Sequence, residues 1–225
     1  PPTAFSASAA TFASRGARSS VRPVTGSRRG GFGQSPSSVC AEARVWSASF
    51  GRPAFDGSVI RRVGGIKVGI VGICAPALPM FTDTTKRMGL TFTEPIEPAR
   101  REVERLRKIE NCDVVVLVAH TGLERDVATR AERAYETPNE NWGYRLAEQV
   151  RGVDAVILGH THVVVGQQKI SGQLVTQAGR NGENLGRIEL RLERPNDRSV
   201  WTVMDATSRV MAIADSIPED STVAA

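Results

Sequence analysis

Histidine and cysteine are scarce in this 225-residue sequence, and long apolar runs are missing. The longest apolar stretch, residues 68–81, is cut by Pro76 and Pro79. It falls short of the roughly 20 residues a membrane-spanning helix needs, so no membrane span is expected. The three cysteines, Cys40, Cys74 and Cys112, form no CxxC pair and no even framework. That excludes a disulfide-stapled miniprotein and a cysteine-ligated zinc finger. Acidic residues are absent before Glu42, and no apolar central stretch of a secretory signal is present.

The net charge of +5 and a pI near 9.6 invite a nucleic-acid reading, but the charge is unevenly placed. Residues 1–52 carry seven arginines against the single acid Glu42, and the rest of the chain is nearly neutral. No specific nucleic-acid partner is expected; a basic arm touches polyanions weakly and in a salt-dependent way. Residues 1–53 form a low-complexity Arg/Ser/Ala/Gly leader with no sustained period of 2 or 3.6, and are expected to be disordered. All but four of the 29 basic residues are arginine, the signature of GC-rich coding. Such a leader has the composition a shifted reading frame gives, so the chain is expected to be a fragment or a frame-shifted product.

From Ala54 the texture changes. Val68–Ile73 after Gly64-Gly65 reads as a strand buried on both faces. Ile96, Val103, Leu106 and Ile109 recur at helical spacing, which predicts a helix over 97–109 with Pro98 in its first turn. Residues 113–119 (DVVVLVA) and 154–158 (DAVIL) are solid apolar runs and predict two more buried strands, with a helix over 142–150 between them. Shorter strands are expected at 163–165, 174–177, 188–192 and 200–204. The alternation predicts an α/β domain over 54–205.

The three histidines carry the functional signal. His120 closes one apolar run, and His160 and His162 follow the other. Residues at the carboxyl ends of buried strands sit where ligands bind in α/β sheets. Imidazole suits Zn, Mn, Fe or Ni. Three histidines fit a mononuclear zinc site or part of a two-metal site completed by carboxylates. Each is also compatible with an ordinary core or loop histidine.

Gly159-His160-Thr161-His162, preceded by Ala119-His120-Thr121-Gly122-Leu123-Glu124-Arg125-Asp126, resembles the calcineurin-like metallophosphoesterases. More narrowly it resembles the bacterial 5′-nucleotidase and 2′,3′-cyclic-nucleotide phosphodiesterase family. Asn139-Glu140-Asn141 with Leu146-Ala147, residues 177–180 (QAGR), 185–188 (LGRI) and 64–69 (GGIKVG) extend the match. The resemblance implies part of a four-layer αββα sandwich that hydrolyses nucleotide phosphate esters with two divalent cations such as Zn, Mn or Mg. It implies His120 and His160 on one metal and His162 on the other. Asn139, Glu140 and Asn141 are then a brace behind the ligands, or a helix N-cap cluster before Trp142. Arg180 and Asn181 line the site mouth, or form a plain turn. It also implies export to the periplasm or outside the cell, and a linker beginning within residues 206–225.

The family's Asp-x-His, its GDxxD stretch with the bridging aspartate and its Asn-His-Glu/Asp turn are all absent. At most one weak metal site is therefore expected, with impaired hydrolysis. The alternative is a catalytically silent metal- or partner-binding module. Missing strands would leave Val114–Val118 or Ile70–Ile73 with an unpaired edge.

Overall fold

Gly64 and Gly65 sit at φ +57° and +84°, a backbone that other residues rarely adopt. They join β2 (Ser58–Val63) to β3 (Ile66–Cys74) as a tight antiparallel hairpin. The structure, a computed structural model, describes residues 3–10, 56–77, 80, 91–133, 137–194, 196 and 200–214. After β3 come α1 (Ile96–Lys108), β4 (Val114–His120), α2 (Gly143–Gln149), β5 (Ala155–Leu158), β6 (Val164–Ile170) and β7 (Gln173–Ala178). The chain closes with the long hairpin of β8 (Asn184–Glu193) and β9 (Thr202–Ala212).

The main sheet has the order β2-β3-β4-β5-β7-β6, with β3, β4, β5 and β7 parallel. Its central strands are apolar on both faces because both faces are covered. Val71, Ile73, Val115, Leu117, Val156 and Val175 pack on one side against Val103 and Leu106 of α1 and Leu146 of α2. The alternate residues Val68, Val114, Ala155 and Leu174 pack on the other side against Ile188, Leu190 and Leu192 of β8. Helices, main sheet and second sheet thus make three layers of the expected αββα sandwich.

Four expectations are corrected. β3 and β4 are interior strands, not edges, because residues 58–63 supply β2; the two arginines of that strand, Arg61 and Arg62, had masked it in the sequence. Within the leader, expected to be disordered, Thr3–Ala10 (β1) runs antiparallel along β8 in the three-stranded sheet β1-β8-β9. The main-chain ladder of β8 accepts a strand of small residues that carries no strong apolar pattern of its own. Residues 11–55 lie outside the described residues. At the far end, β9 continues through Ala212, so residues 206–212 are strand and not linker, with Ser208 Oγ donating to Gly166 O at 2.7 Å; residues 215–225 lie outside the described set. Finally, α1 ends at Lys108, and Ile109 is 71% exposed instead of joining the core face. No described helix is long and apolar enough to cross a membrane.

Candidate active site

β4 and β5 are parallel neighbours, in register from Val116↔Ala155 to Ala119↔Leu158. Their carboxyl ends therefore deliver His120 and Gly159 to the same edge of the sheet. The His120 and His160 rings meet edge-on, with centroids 5.1 Å apart. Burial lowers the pKa of His120, and the charges of His160 and then His162 push it down further, which places His162 within electrostatic reach as well.

The loop that presents the pair is strained. Thr161 N–H donates to Gly159 O at 2.8 Å, an i→i+2 turn around His160, whose φ is +71°. This is the rare, positive-φ form of the γ-turn. His162 follows at φ +60°. Gly159 therefore does provide a tight turn, but the histidines themselves take the left-handed backbone. Glycine at position 162 is expected to give a protein about 1 kcal/mol more stable than alanine there, as read by urea denaturation, because alanine keeps the left-handed penalty.

A second segment clamps both histidine loops. Gly122 N–H donates to Asn141 Oδ1 at 2.6 Å, and Trp142 N–H to Thr121 Oγ1 at 2.8 Å. Gly143 N–H donates to Gly122 O at 2.8 Å, and Gly159 N–H to Thr121 O at 3.3 Å. Thr161 and the buried Gln177 are bonded through Oγ1 at 3.1 to 3.2 Å. Glu140 Oε1 lies 2.9 Å from His160 Nε2. The Thr137 hydroxyl holds the Glu140 carboxyl below its ordinary range, and the bond with His160 adds to the effect.

Glu140 thus bonds to His160 and Asn141 to Gly122, whereas Asn139 takes part through its carbonyl, which accepts from Trp142 Nε1–H. α2 starts at Gly143 with Trp142 as its cap residue and no side-chain cap bond there. The buried Glu124 does the capping from 20 residues upstream, accepting from Tyr144 N–H at 2.8 Å and Arg145 N–H at 2.9 Å. Its only sequence signal is the presence of an acid, Glu124, four residues after His120. Arg180 and Asn181 form the turn after β7; Arg180 is exposed and pairs with Glu183, as does Asn181 through Nδ2. No described contact brings either side chain to the histidines. Beside Asn139 and Trp142 lies an open depression of about 670 Å³, lined also by Pro76, Met80, Phe92 and Glu94 and by none of the three histidines.

The donor set does not fit a complete metal centre. Among the described residues no group of three or more His, Cys, Asp or Glu is gathered closely enough to hold an ion. The carboxylate at the cluster, Glu140, is bonded to His160. Cys74, the register partner of His120, has its thiol pushed up by burial and stays protonated. No hydrolytic step is therefore assigned to a metal here.

The neutral histidine has a consequence for stability. Because the His120 pKa is lowered on folding, the unfolded chain takes up a proton more readily as pH falls below 6.5. The stability linked to neutral His120 is full above that value and is lost in the window beneath it. The urea midpoint is expected to fall between pH 7.5 and pH 5.5, and to fall less in His120→Asn.

No family model matches the chain. It is 29% identical over 183 residues to a 2′,3′-cyclic-nucleotide 2′-phosphodiesterase/3′-nucleotidase of Salmonella typhimurium, covering 74% of this chain and 27% of that protein. A protein of the same description from Yersinia enterocolitica is 27% identical, with 81% and 30% covered. Among solved structures, the calcineurin-like phosphoesterase YfkN of Bacillus subtilis superposes with a TM-score of 0.65 at 27% identity, over 80% of this chain and 57% of that one. The chain spans less than a third of the length of these two curated relatives. The homologues of this chain are thus nucleotide phosphoesterases, matched over part of their length, and its fold is part of the calcineurin-like phosphoesterase fold.

Proposed function

We propose that this chain is part of a metal-dependent phosphoesterase acting on nucleotide phosphate esters, with His120, His160 and His162 as the imidazole wall of its active site. The observation that carries this reading is the meeting of His120 and His160 at the carboxyl ends of adjacent parallel strands. The names of the curated relatives support a nucleotide as substrate. Zn, Mn or Mg would suit oxygen-rich phosphate chemistry beside imidazole, with carboxylate ligands drawn from outside the described residues. The chain's own contribution is to hold these imidazoles at the ends of adjacent strands, with burial lowering the pKa of His120.

Hydrolysis of bis-p-nitrophenyl phosphate and of 2′,3′-cyclic AMP with added Mn²⁺ tests the reading. We expect slow, metal-stimulated turnover that falls by about a hundredfold in His160→Ala, the upper range for disturbing a metal-ligand shell. Equal rates in the parent and the variant would overturn it. That no group of ligands is gathered among the described residues favours a second reading, a catalytically silent binding module. Absence of turnover with every divalent ion would decide for that module.

A further inference from the structure

Gly122 is a glycine for want of room and not for its backbone. It does not share the positive φ of Gly64, Gly65 or Gly179, so its conformation is open to other residues. A Cβ there would stand 2.1 Å from Thr161 Cγ2, 2.5 Å from Thr161 Oγ1 and 2.9 Å from Asn141 Oδ1. The side chain of Thr161 therefore sits directly on the main chain of the loop after β4. Its hydroxyl is also held by a third element: Oγ1 lies 3.2 Å from Gln177 Oε1 and 3.1 Å from Gln177 Nε2. Gln177 is 1% exposed and belongs to β7, the parallel neighbour of β5. A hydroxyl both donates and accepts, so it suits either end of that buried amide.

Thr161 stands between two residues in left-handed backbone, His160 at φ +71° and His162 at φ +60°. Such a backbone persists only where its surroundings fix it. We propose that Thr161 is a positioning residue that keys the loop after β5 onto the loop after β4, and so sets where the His160 ring lies against His120. Its meaning for catalysis rests on the phosphoesterase reading above; the interlock itself does not. Alanine at 161 removes both the methyl and the hydroxyl, whereas serine keeps the bond to Gln177.

A double-mutant cycle in the full chain, read by urea denaturation, tests the interlock. Gly122→Ala alone is expected to lower the midpoint sharply, because the new methyl meets both Cγ2 and Oγ1 of Thr161. Thr161→Ala removes those atoms, so the double variant is expected to have a higher midpoint than Gly122→Ala alone. Losses that simply add overturn the interlock. Should Gly122→Ala fail to fold, recovery of a folded protein in the double variant supports the interlock, and continued failure overturns it. Positioning is read separately, from the nuclear Overhauser effect between the ring protons of His120 and His160, whose centroids are 5.1 Å apart. The cross-peak is expected in the parent and in Thr161→Ser, and is expected to be lost in Thr161→Ala while the cross-strand contacts of the β2–β3 hairpin persist. A cross-peak that Thr161→Ala leaves unaltered overturns the proposal, as does equal loss in Thr161→Ser. Absence of hydrolysis in a parent chain that shows both the interlock and the cross-peak would sink the phosphoesterase reading alone.

Discussion

Alanine in place of Gly143 is expected to destabilise the protein by about 3 kcal/mol, the upper part of the usual range for overpacking. A Cβ at this position would stand 2.5 Å from Gly122 O and 2.8 Å from Leu158 Cδ1. The first of these is a backbone atom held by the very bond that Gly143 N–H donates, so neither partner can step aside. Relief requires pulling α2 away from the loop after β4, which carries His120. Gly166 is the control. Its Cβ would meet nothing within 4 Å, and alanine there is expected to change stability by less than about 1 kcal/mol. Urea denaturation of both variants, followed by far-UV circular dichroism, reads the difference. Equal midpoints would mean that the two loops are not in close approach.

The elements that sequence reading recovered are those whose pattern was imposed by burial. β3, β4 and β5 are covered on both faces and read as solid apolar runs, and α1 reads through Val103 and Leu106 on one stripe. What escaped was determined elsewhere in the molecule. β2 holds Arg61 and Arg62 because it is an edge strand, and edges carry charge. β1 is held by the backbone ladder of β8, which no side-chain period reports. β9 reads short because the consecutive polar residues Thr207, Ser208 and Arg209 break any apolar alternation and resemble a connector, although Ser208 is buried.

The site divides the same way. Histidines at the ends of two apolar runs are legible, because strand ends follow from composition alone. The partner of His160 is not, since Glu140 reaches it through a turn whose shape depends on Asn141 bonding to Gly122 across 19 residues. Local spacing leaves both an N-cap and a brace open for the three polar residues; tertiary contacts tie Glu140 to His160 and Asn141 to Gly122.

The opposite end of the same strands gives the other large effect. Asp154 stands just before β5, and its Oδ2 accepts from Val115 N–H at 2.8 Å and from Arg107 Nη2 at 2.5 Å. Arg107 also donates to Gly152 O, Cys112 O and Asp113 O, so one guanidinium gathers the starts of β4 and β5 under the end of α1. Asp154→Ala strands a largely buried guanidinium among carbonyls and leaves Val115 N–H without an acceptor, and is expected to cost about 3 kcal/mol. Burial raises the Asp154 carboxyl against the pull of Arg107, so its charge is held at some expense. Asparagine, which keeps the acceptor and drops the charge, is therefore expected to cost only about 1 kcal/mol. Urea midpoints at pH 7.5 separate the two. If asparagine proved as damaging as alanine, the charge and not the acceptor would be what joins β5, and with it the loop of His160, to the rest of the sheet.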